Sequence, residues 1–380
     1  MTKSIAIIGG GIVGATAAFY LSEAGYSVTV FDEGTGQATS AAAGIICPWL
    51  SKRRNKKWYR LASDGAAFYQ TLLSDLEKRM ADTSFYTHSG AVLLKKTLEQ
   101  TKELYELGVE RRKLAPEIGT LTILNEEQLL HFLPSLKNQK NGLYVGGGAR
   151  VEGSKLVHSL LTTVQQNGGQ IIPESVQLEK KDDTYVVRKN NKEVEIFDKI
   201  ILAAGAWLPQ LLEPLDWKVD IRGQKGQLVV LQTKDQKNDN LPVLIPTGEI
   251  DILPVGKGIY YVGASHENEK GYDLTSDKEV INQLIHGGTE ILASLQNATL
   301  VGEKVGTRAY TSDFSPFFGY LPTSTSILVA SGLGSSGLTT GPYIGFQLAL
   351  LAQGKPTELS LEDYDSGIYL KNMNKNDERI

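Results

Sequence analysis

The apolar run SIAII at residues 4–8 leads into Gly9, Gly11 and Gly14, then a small-residue stretch through Leu21, and a second apolar run, SVTVF, stops at Asp32. The order predicts strand, glycine turn, helix and strand: a βαβ unit built around a phosphate-binding turn. The glycines meet three demands, namely a tight turn, close approach of backbone to a pyrophosphate, and close packing of helix on strand. Amides at Ile12 and Val13 and the positive end of the helix suit phosphate charge. Asp32, with Glu33 beside it, stands at the spacing where an acid accepts from a ribose hydroxyl. On its own the fingerprint leaves both NAD and FAD open.

The 380 residues, 41% of them hydrophobic, suffice for two domains with cores of their own. A net charge of −4, from 39 basic and 43 acidic side chains, argues against nucleic acid or an anionic membrane as partner and for a small molecule. Cys47 is the single cysteine, so an internal disulfide and a thiolate cluster are both excluded, which suits a reducing cytosol. The first strand begins at Ser4, which leaves no room for a signal peptide, and no run approaches the ~20 apolar residues of a membrane span. A cytoplasmic location is therefore expected. The five histidines lack metal-site spacing, and no metal is expected.

Periodicity interleaves the elements rather than dividing them into two blocks. TSAAAGIICPW, from Thr39, reads as a small-residue loop, and residues 61–80 as an amphipathic helix with Leu61, Phe68, Leu72, Leu73 and Leu76 near one face. Residues 85–94 read as a strand, 98–108 and 126–130 as helical, and 151–167 as a helix ended by Gly168 and Gly169 before a short strand at 170–172. KIILAAG, from Lys199, is the next buried strand. From Val219 to Tyr310 the runs QLVVLQT, PVLIP, GIYYVGAS and KVGTRAY alternate in character, as in an antiparallel sheet with one face free to carry a pocket. The final unit is strand, glycine–serine turn and a helix ending near Gly354, followed by a polar tail from Lys371 that is expected to fray.

Four separated segments resemble the family of FAD-dependent D-amino-acid and glycine or sarcosine oxidoreductases. They are GGGIVG from Gly9 with Asp32; ATSAAAGII from Ala38, similar to the loop along the FAD pyrophosphate; ILAAGAW from Ile201; and the pair GTRAYTSDFSPFFGYLP from Gly306 and VASGLGSSGLTTGP from Val329. The resemblance implies an α/β (α+β) fold. Its Rossmann-like FAD domain, of glutathione-reductase-2 type, is assembled from residues 1–80, 143–216 and 307–370. An antiparallel-sheet substrate domain, 81–142 and 217–306, is inserted between them, and 371–380 form the tail.

The same resemblance implies non-covalent FAD. Gly9, Gly11, Ile12, Val13, Gly14, Asp32 and Glu33 would hold one end, and Thr39, Ser40, Ala43, Gly44 and Ile45 the pyrophosphate loop. Val176, Ala204, Gly205 and Trp207 would line the middle. Gly332, Gly334, Ser335, Ser336, Gly337, Leu338 and Thr339 would face the flavin, where preorganised amides stabilise charge developing on reduction.

Arg308 lies where family members pair an arginine with the substrate carboxylate, a role its bidentate fork suits in geometry and charge. An ion pair with Asp313 is the structural alternative. The segment departs from the family pattern at Ala309, where proline is usual, and at Phe314, where glycine is usual. Tyr260 and Tyr261 stand on opposite faces of a strand, so at most one reaches a pocket and either can be a packed aromatic. Lys225–Gly226–Gln227 resembles the family's turn into the substrate sheet, making Gln227 a candidate substrate contact. The run Asp251–Ile252–Leu253–Pro254 lacks the tyrosine that the family often carries there. Cys47 reads as a buried inert thiol, His266 as a loop residue outside the site, and Lys52, Arg53, Arg54, Lys56 and Lys57 as a solvated basic loop or the border of an entrance.

The expected activity is oxidation of the C–N bond of a small amino acid or secondary amine acid, with dioxygen or another electron acceptor closing the cycle, in a possible homo-oligomer. The alternatives are a dehydrogenase of the same fold acting on a hydroxy acid and passing electrons to a quinone, and a flavin-binding protein without a substrate.

Overall fold

The computed structural model describes residues 3–181, 184–235, 238 and 241–374. The chain opens with β1 (Ser4–Ile8), α1 (Ile12–Glu23) and β2 (Ser27–Phe31), then α2 (Ala38–Ala41) and α3 (Lys56–Lys78). β3 (Ala91–Lys95), α4 (Leu98–Arg112), β4 (Leu121–Asn125) and β5 (Asn141–Val145) follow, then α5 (Gly153–Gln166), β6 (Gln170–Ile172) and β7 (Lys199–Leu202). β8 (Arg222–Gln232), β9 (Val243–Ile245), β10 (Asp251–Gly256), β11 (Ile259–Gly263), α6 (Lys278–Ile291) and β12 (Thr299–Tyr310) come next. β13 (Phe317–Tyr320), β14 (Ile327–Ser331) and α7 (Gly337–Ala352) close the set.

Two large sheets dominate. The first has six strands in the order β13-β14-β7-β1-β2-β6, parallel except at the β13–β14 edge. Its strands are continuous apolar runs because helices cover both faces: Ile5 and Ile7 pack with α1, α3 and α7, and Ala6 and Ile8 with the layer of Leu208, Leu211 and Leu212. α1 is buried on nearly every side, which its small residues permit.

The second sheet has eight strands in the order β12-β8-β11-β10-β9-β3-β5-β4. It is antiparallel except that β9 runs parallel to β3, with Leu244 opposite Val92. The sheet is thus antiparallel as expected at every pairing but this one, where the chain leaving β8 enters beside β3 before turning back through β10. One face of this sheet is covered by α6, whose Ile281 and Leu284 pack on Val229, Leu231, Ile252, Tyr260 and Val262.

Several element boundaries differ from expectation. Residues 85–94 form two strands, because Gly90 at φ +71° turns the chain between Tyr86–Thr87 and β3. α5 starts at Gly153, since Val151 ends a strand, Ala149–Val151, that pairs with Ile45–Ile46 and Tyr86–Thr87. α3 starts at Lys56, where the Asn55 side chain accepts from the Trp58 amide. Leu370–Asn372 pairs with Trp217–Val219, so Lys371 sits in a strand; residues 375–380 of the expected tail lie outside the described residues. A division of the chain at 143 runs through β5, and one at 307 through β12.

Candidate functional site

A cavity of about 410 Å³ runs along the C-terminal ends of β1, β2, β7 and β14, where open parallel sheets characteristically bind ligands. The opening turn shapes one wall. Gly9 holds φ +105°, and a Cβ there would sit 2.3 Å from the Ala203 carbonyl oxygen, so only glycine fits between β1 and β7. A Cβ on Gly14 would meet the Gly9 carbonyl at 1.9 Å; this glycine lets α1 pack on the turn rather than lining the cavity. The Ile12 amide donates to Thr39 Oγ1 at 3.1 Å, and α1 has no side-chain cap of its own.

Asp32 and Glu33 line one end together with Val176. The Asp32 carboxylate accepts from the amides of Gly10 and Gly34, the latter at 2.6 Å, and from Gln37 Nε2 at 2.7 Å. The lining continues through Ala204, Gly205 and Trp207, next to Gly9 and Gly36, and through Gly332, Gly334 and Gly337. Ser331 Oγ ties β14 to the Gly205 carbonyl at 2.8 Å, and the Ser335 amide donates to Tyr310 OH at 3.0 Å. α7 begins there without a side-chain cap, so its positive end stays available to a ligand.

Other expected contacts lie away from this lining. Ser40 donates to Gln37, Ser336 to the Leu333 carbonyl, and Thr339 Oγ1 reaches the Ile45 carbonyl at 3.4 Å. The Leu338 carbonyl accepts from Tyr69 OH, and Gly44 abuts the Val151 carbonyl. Ala43 and Ile45 pack with Cys47, Leu253 and Tyr261 against the second sheet. The cavity also takes in Thr35, Gln37, Glu174, Gln177, Gln210, Thr307 and Ser331, none of which was expected. Gln37 was within reach of sequence reasoning, two residues ahead of Thr39, and so were Glu174 and Gln177, on either side of the expected Val176 after the strand read at 170–172.

Strand pairing sorts the remaining candidates by face. Arg308 is opposite Gln224, Gly306 opposite Gly226, and Lys304 opposite Leu228. Paired residues project to one side of a sheet, and alternate residues to the other. Arg308 lies over Gly226, where a Cβ would be 2.6 Å from its Nη1. Nη1 donates to Gln224 Oε1 at 3.1 Å and to the Ser265 carbonyl at 2.9 Å. Asp313 does not pair with Arg308; it accepts from Thr311 Oγ1 at 3.0 Å and from Tyr369 OH. Burial draws the Arg308 pKa below its usual value, yet a guanidinium stays cationic. Its strand neighbours Thr307 and Ala309 line the cavity, whereas Arg308 projects to the other side.

Tyr261 shares the Arg308 face, with Lys304 Nζ 4.2 Å from its ring centre. Tyr260 is buried on the opposite face against α6. Gln227 also faces away: its Nε2 donates to Glu267 Oε1 at 2.7 Å and its Oε1 accepts from the Asp277 amide at 2.8 Å. Lys225 behaves likewise, donating to the Thr275 carbonyl at 2.5 Å and pairing with Asp273 at 3.2 Å. The structure therefore brings Arg308 and Tyr261 to one face and sets Tyr260 and Gln227 on the other.

His266 stands near Arg308, and burial together with that positive charge lowers its pKa. The Cys47 thiol is pushed up to about 12 by burial and by the charge of Asp251, which keeps it neutral. Arg53 stacks on Trp58 and donates to the Phe314 carbonyl at 2.6 Å, so part of the basic run is packed. Among the described residues no cluster of His, Cys, Asp and Glu could hold a metal, and no helix is long and apolar enough to cross a membrane.

The family described as FAD dependent oxidoreductase matches residues 4–351. The uncharacterized oxidoreductase YurR of Bacillus subtilis is 36% identical over 367 residues, covering 96% of this chain and 98% of that protein. Glycine oxidase of Pseudomonas putida is 26% identical over 352 residues, covering 90% and 92%. Among solved structures, iminodiacetate oxidase from Chelativorans sp. BNC1 is similar with a TM-score of 0.91 at 31% identity, covering 95% of this chain and 98% of that one.

Proposed function

This chain belongs to the family of FAD-dependent oxidoreductases, and we propose that it oxidises the C–N bond of a small amino acid or secondary amine acid. A long dinucleotide suits the cavity described above: the N-termini of α1 and α7 open onto it, the Ile12 amide of α1 being the one met by Thr39 Oγ1, an acid stands in its wall, and glycines hold the walls open for a backbone approach. Asp32 and Glu33 are assigned to the ribose, Gly11, Ile12, Val13 and Thr39 to the pyrophosphate, and the Gly332–Gly337 turn to the ring system. In this assignment the six-stranded sheet with its helices is the cofactor half and the eight-stranded sheet the substrate half. Bound FAD supplies the acceptor for a hydride from the substrate's α-carbon.

The reading rests on one observation: Arg308 is a half-buried guanidinium over the Gly226–Gly306 floor, with neutral oxygens on Nη1 and no carboxylate within ion-pair distance among the described residues, the charge of Glu267 acting on it only from farther off. A partly desolvated cation with no bonded counter-ion is well placed to take one from a ligand. A substrate carboxylate on the free edge of the fork satisfies it and fixes which hydrogen of the α-carbon is presented. The names borne by relatives, glycine oxidase and iminodiacetate oxidase, agree with an amine acid. The imine formed hydrolyses in water to a carbonyl acid and ammonia or an amine. The test is product analysis. FAD-loaded protein with an artificial electron acceptor is expected to convert at least one of glycine, sarcosine, D-alanine or iminodiacetate to a carbonyl product with one equivalent of ammonia or amine. Turnover of hydroxy acids alone contradicts the proposal.

A further inference from the structure

The sheet face that holds Arg308 also carries a carboxylate, Asp251, at the first position of β10. Its register is defined: Asp251 is opposite Gly263, Gly263 opposite Leu228, and Leu228 opposite Lys304. These residues share the side of the sheet on which Arg308 and Tyr261 project. Gly226, over which the guanidinium lies, is two strands and two residues from Asp251. At ~4.8 Å per strand and ~3.4 Å per residue that separation is about 12 Å between α-carbons. Because the Arg308 guanidinium already lies over Gly226, only the Asp251 side chain shortens that separation, and the remaining gap is bridged by a substrate with its carboxylate on one group and its nitrogen on the other.

Among the described residues the Asp251 carboxylate has no hydrogen bond and no ion pair. The ionisable groups next to it are the neutral Cys47 thiol from the loop after Ile45–Ile46 and Tyr261 on β11; Lys304 and Arg308 share the face but stand on β12, three strands away, and no charged group acts on the Asp251 carboxyl at short range. His266 and Glu249 lie toward Arg308, and Arg150 and Glu152 toward Tyr261. Burial raises the Asp251 pKa to about 7. An unpartnered acid that is largely but not wholly shielded from water accepts readily from a ligand, and a protonated amine is a strong donor.

We propose that Asp251 receives the substrate's amine: its carboxylate pairs with the ammonium, takes one N–H proton and leaves the nitrogen as the free base. The N–H bond breaks with its electron pair kept on nitrogen, the proton passes to a carboxylate oxygen, and nothing is oxidised in this step. The inference rests on the amine-acid reading of the Arg308 site.

The test uses Asp251→Asn in the FAD-loaded full-length chain, with glycine and iminodiacetate as substrates and acetate as a carboxylate without an amine. Wild-type kcat/KM is expected to rise as pH climbs through about 7, because protonated Asp251 cannot accept. In Asp251→Asn that limb is absent, and kcat/KM at pH 7 falls about 10–100-fold, chiefly through KM. Asp251→Glu restores part of the limb. Acetate, followed by flavin absorbance, binds wild type and variant with the same Kd because Arg308 is untouched. A variant that keeps the wild-type pH profile overturns the proposal. So does one that loses acetate binding together with amine turnover, since Asp251 then only holds the site's shape. If wild type binds acetate but turns over no amine acid, the reading of the substrate fails and the role of Asp251 falls with it.

Discussion

Arg308 and its neighbours show how much a single side chain depends on the face it occupies. Arg308→Leu is expected to raise substrate KM by about 30-fold or more, since losing one partner of a desolvated charged pair costs ~2–5 kcal/mol. FAD content should stay unchanged, because Arg308 is not in the cavity lining; steady-state kinetics beside the flavin spectrum check both halves. Asp273 offers a pH prediction. Hydrogen bonds from Thr275, with Lys225 next to them, lower its pKa from 3.8 to about 2. A depressed folded-state pKa stabilises the fold above the ordinary carboxylate range, and that contribution is lost as pH falls through about 2. Asp273→Asn is therefore expected to lower Tm at pH 7 and to change it much less at pH 2, by scanning calorimetry. Residue types were legible in the sequence: an arginine fork, an acid after the second strand, a tyrosine pair split between two faces. Which face Arg308 shares was not legible, because a strand's alternation gives relative sides only until pairing anchors one residue. Gln227 and Tyr260 were separated from Arg308 by that register alone.

At the level of elements, the opening βαβ unit was readable to within two residues, since apolar strands, glycines and a terminal acid all constrain one geometry. Gly14→Ala tests it. A methyl group 1.9 Å from the Gly9 carbonyl forces α1 away from the turn, and a loss of about 1–3 kcal/mol in urea unfolding is expected, with less flavin retained after gel filtration. The second sheet was legible as alternating strands but not in its order. β9 pairs in parallel with β3, more than 140 residues earlier, and no local pattern encodes a partner that distant. The α7 turn was legible as a ligand-facing feature through its glycines, yet Ser335 and Ser336 are engaged by protein groups, Tyr310 OH for the Ser335 amide and the Leu333 carbonyl for Ser336 Oγ.

For the whole molecule, the cavity lies between segments far apart in the chain, from Gly9 to Gly337, so FAD is expected to stabilise the assembled fold. At free FAD about 1,000-fold above Kd, linkage gives ~4 kcal/mol, seen as a rise in Tm on adding FAD to flavin-depleted protein and absent on adding NAD. The interleaved order of the two large sheets was legible because each returning strand keeps its own period; the meeting of Arg308, Tyr261 and Asp251 on one face needed the three-dimensional register. In the proposed reaction FAD takes electrons from an amine acid held by its carboxylate. The direct measurement is flavin absorbance under anaerobic conditions during titration with glycine, sarcosine, D-alanine and iminodiacetate, beside glycolate and glycerol 3-phosphate as hydroxy compounds. The oxidised flavin band is expected to bleach with at least one amine acid in wild type, and at least tenfold less in Arg308→Leu; a flavin that stays oxidised with every amine acid, or is bleached only by the hydroxy compounds, rules the proposed reaction out.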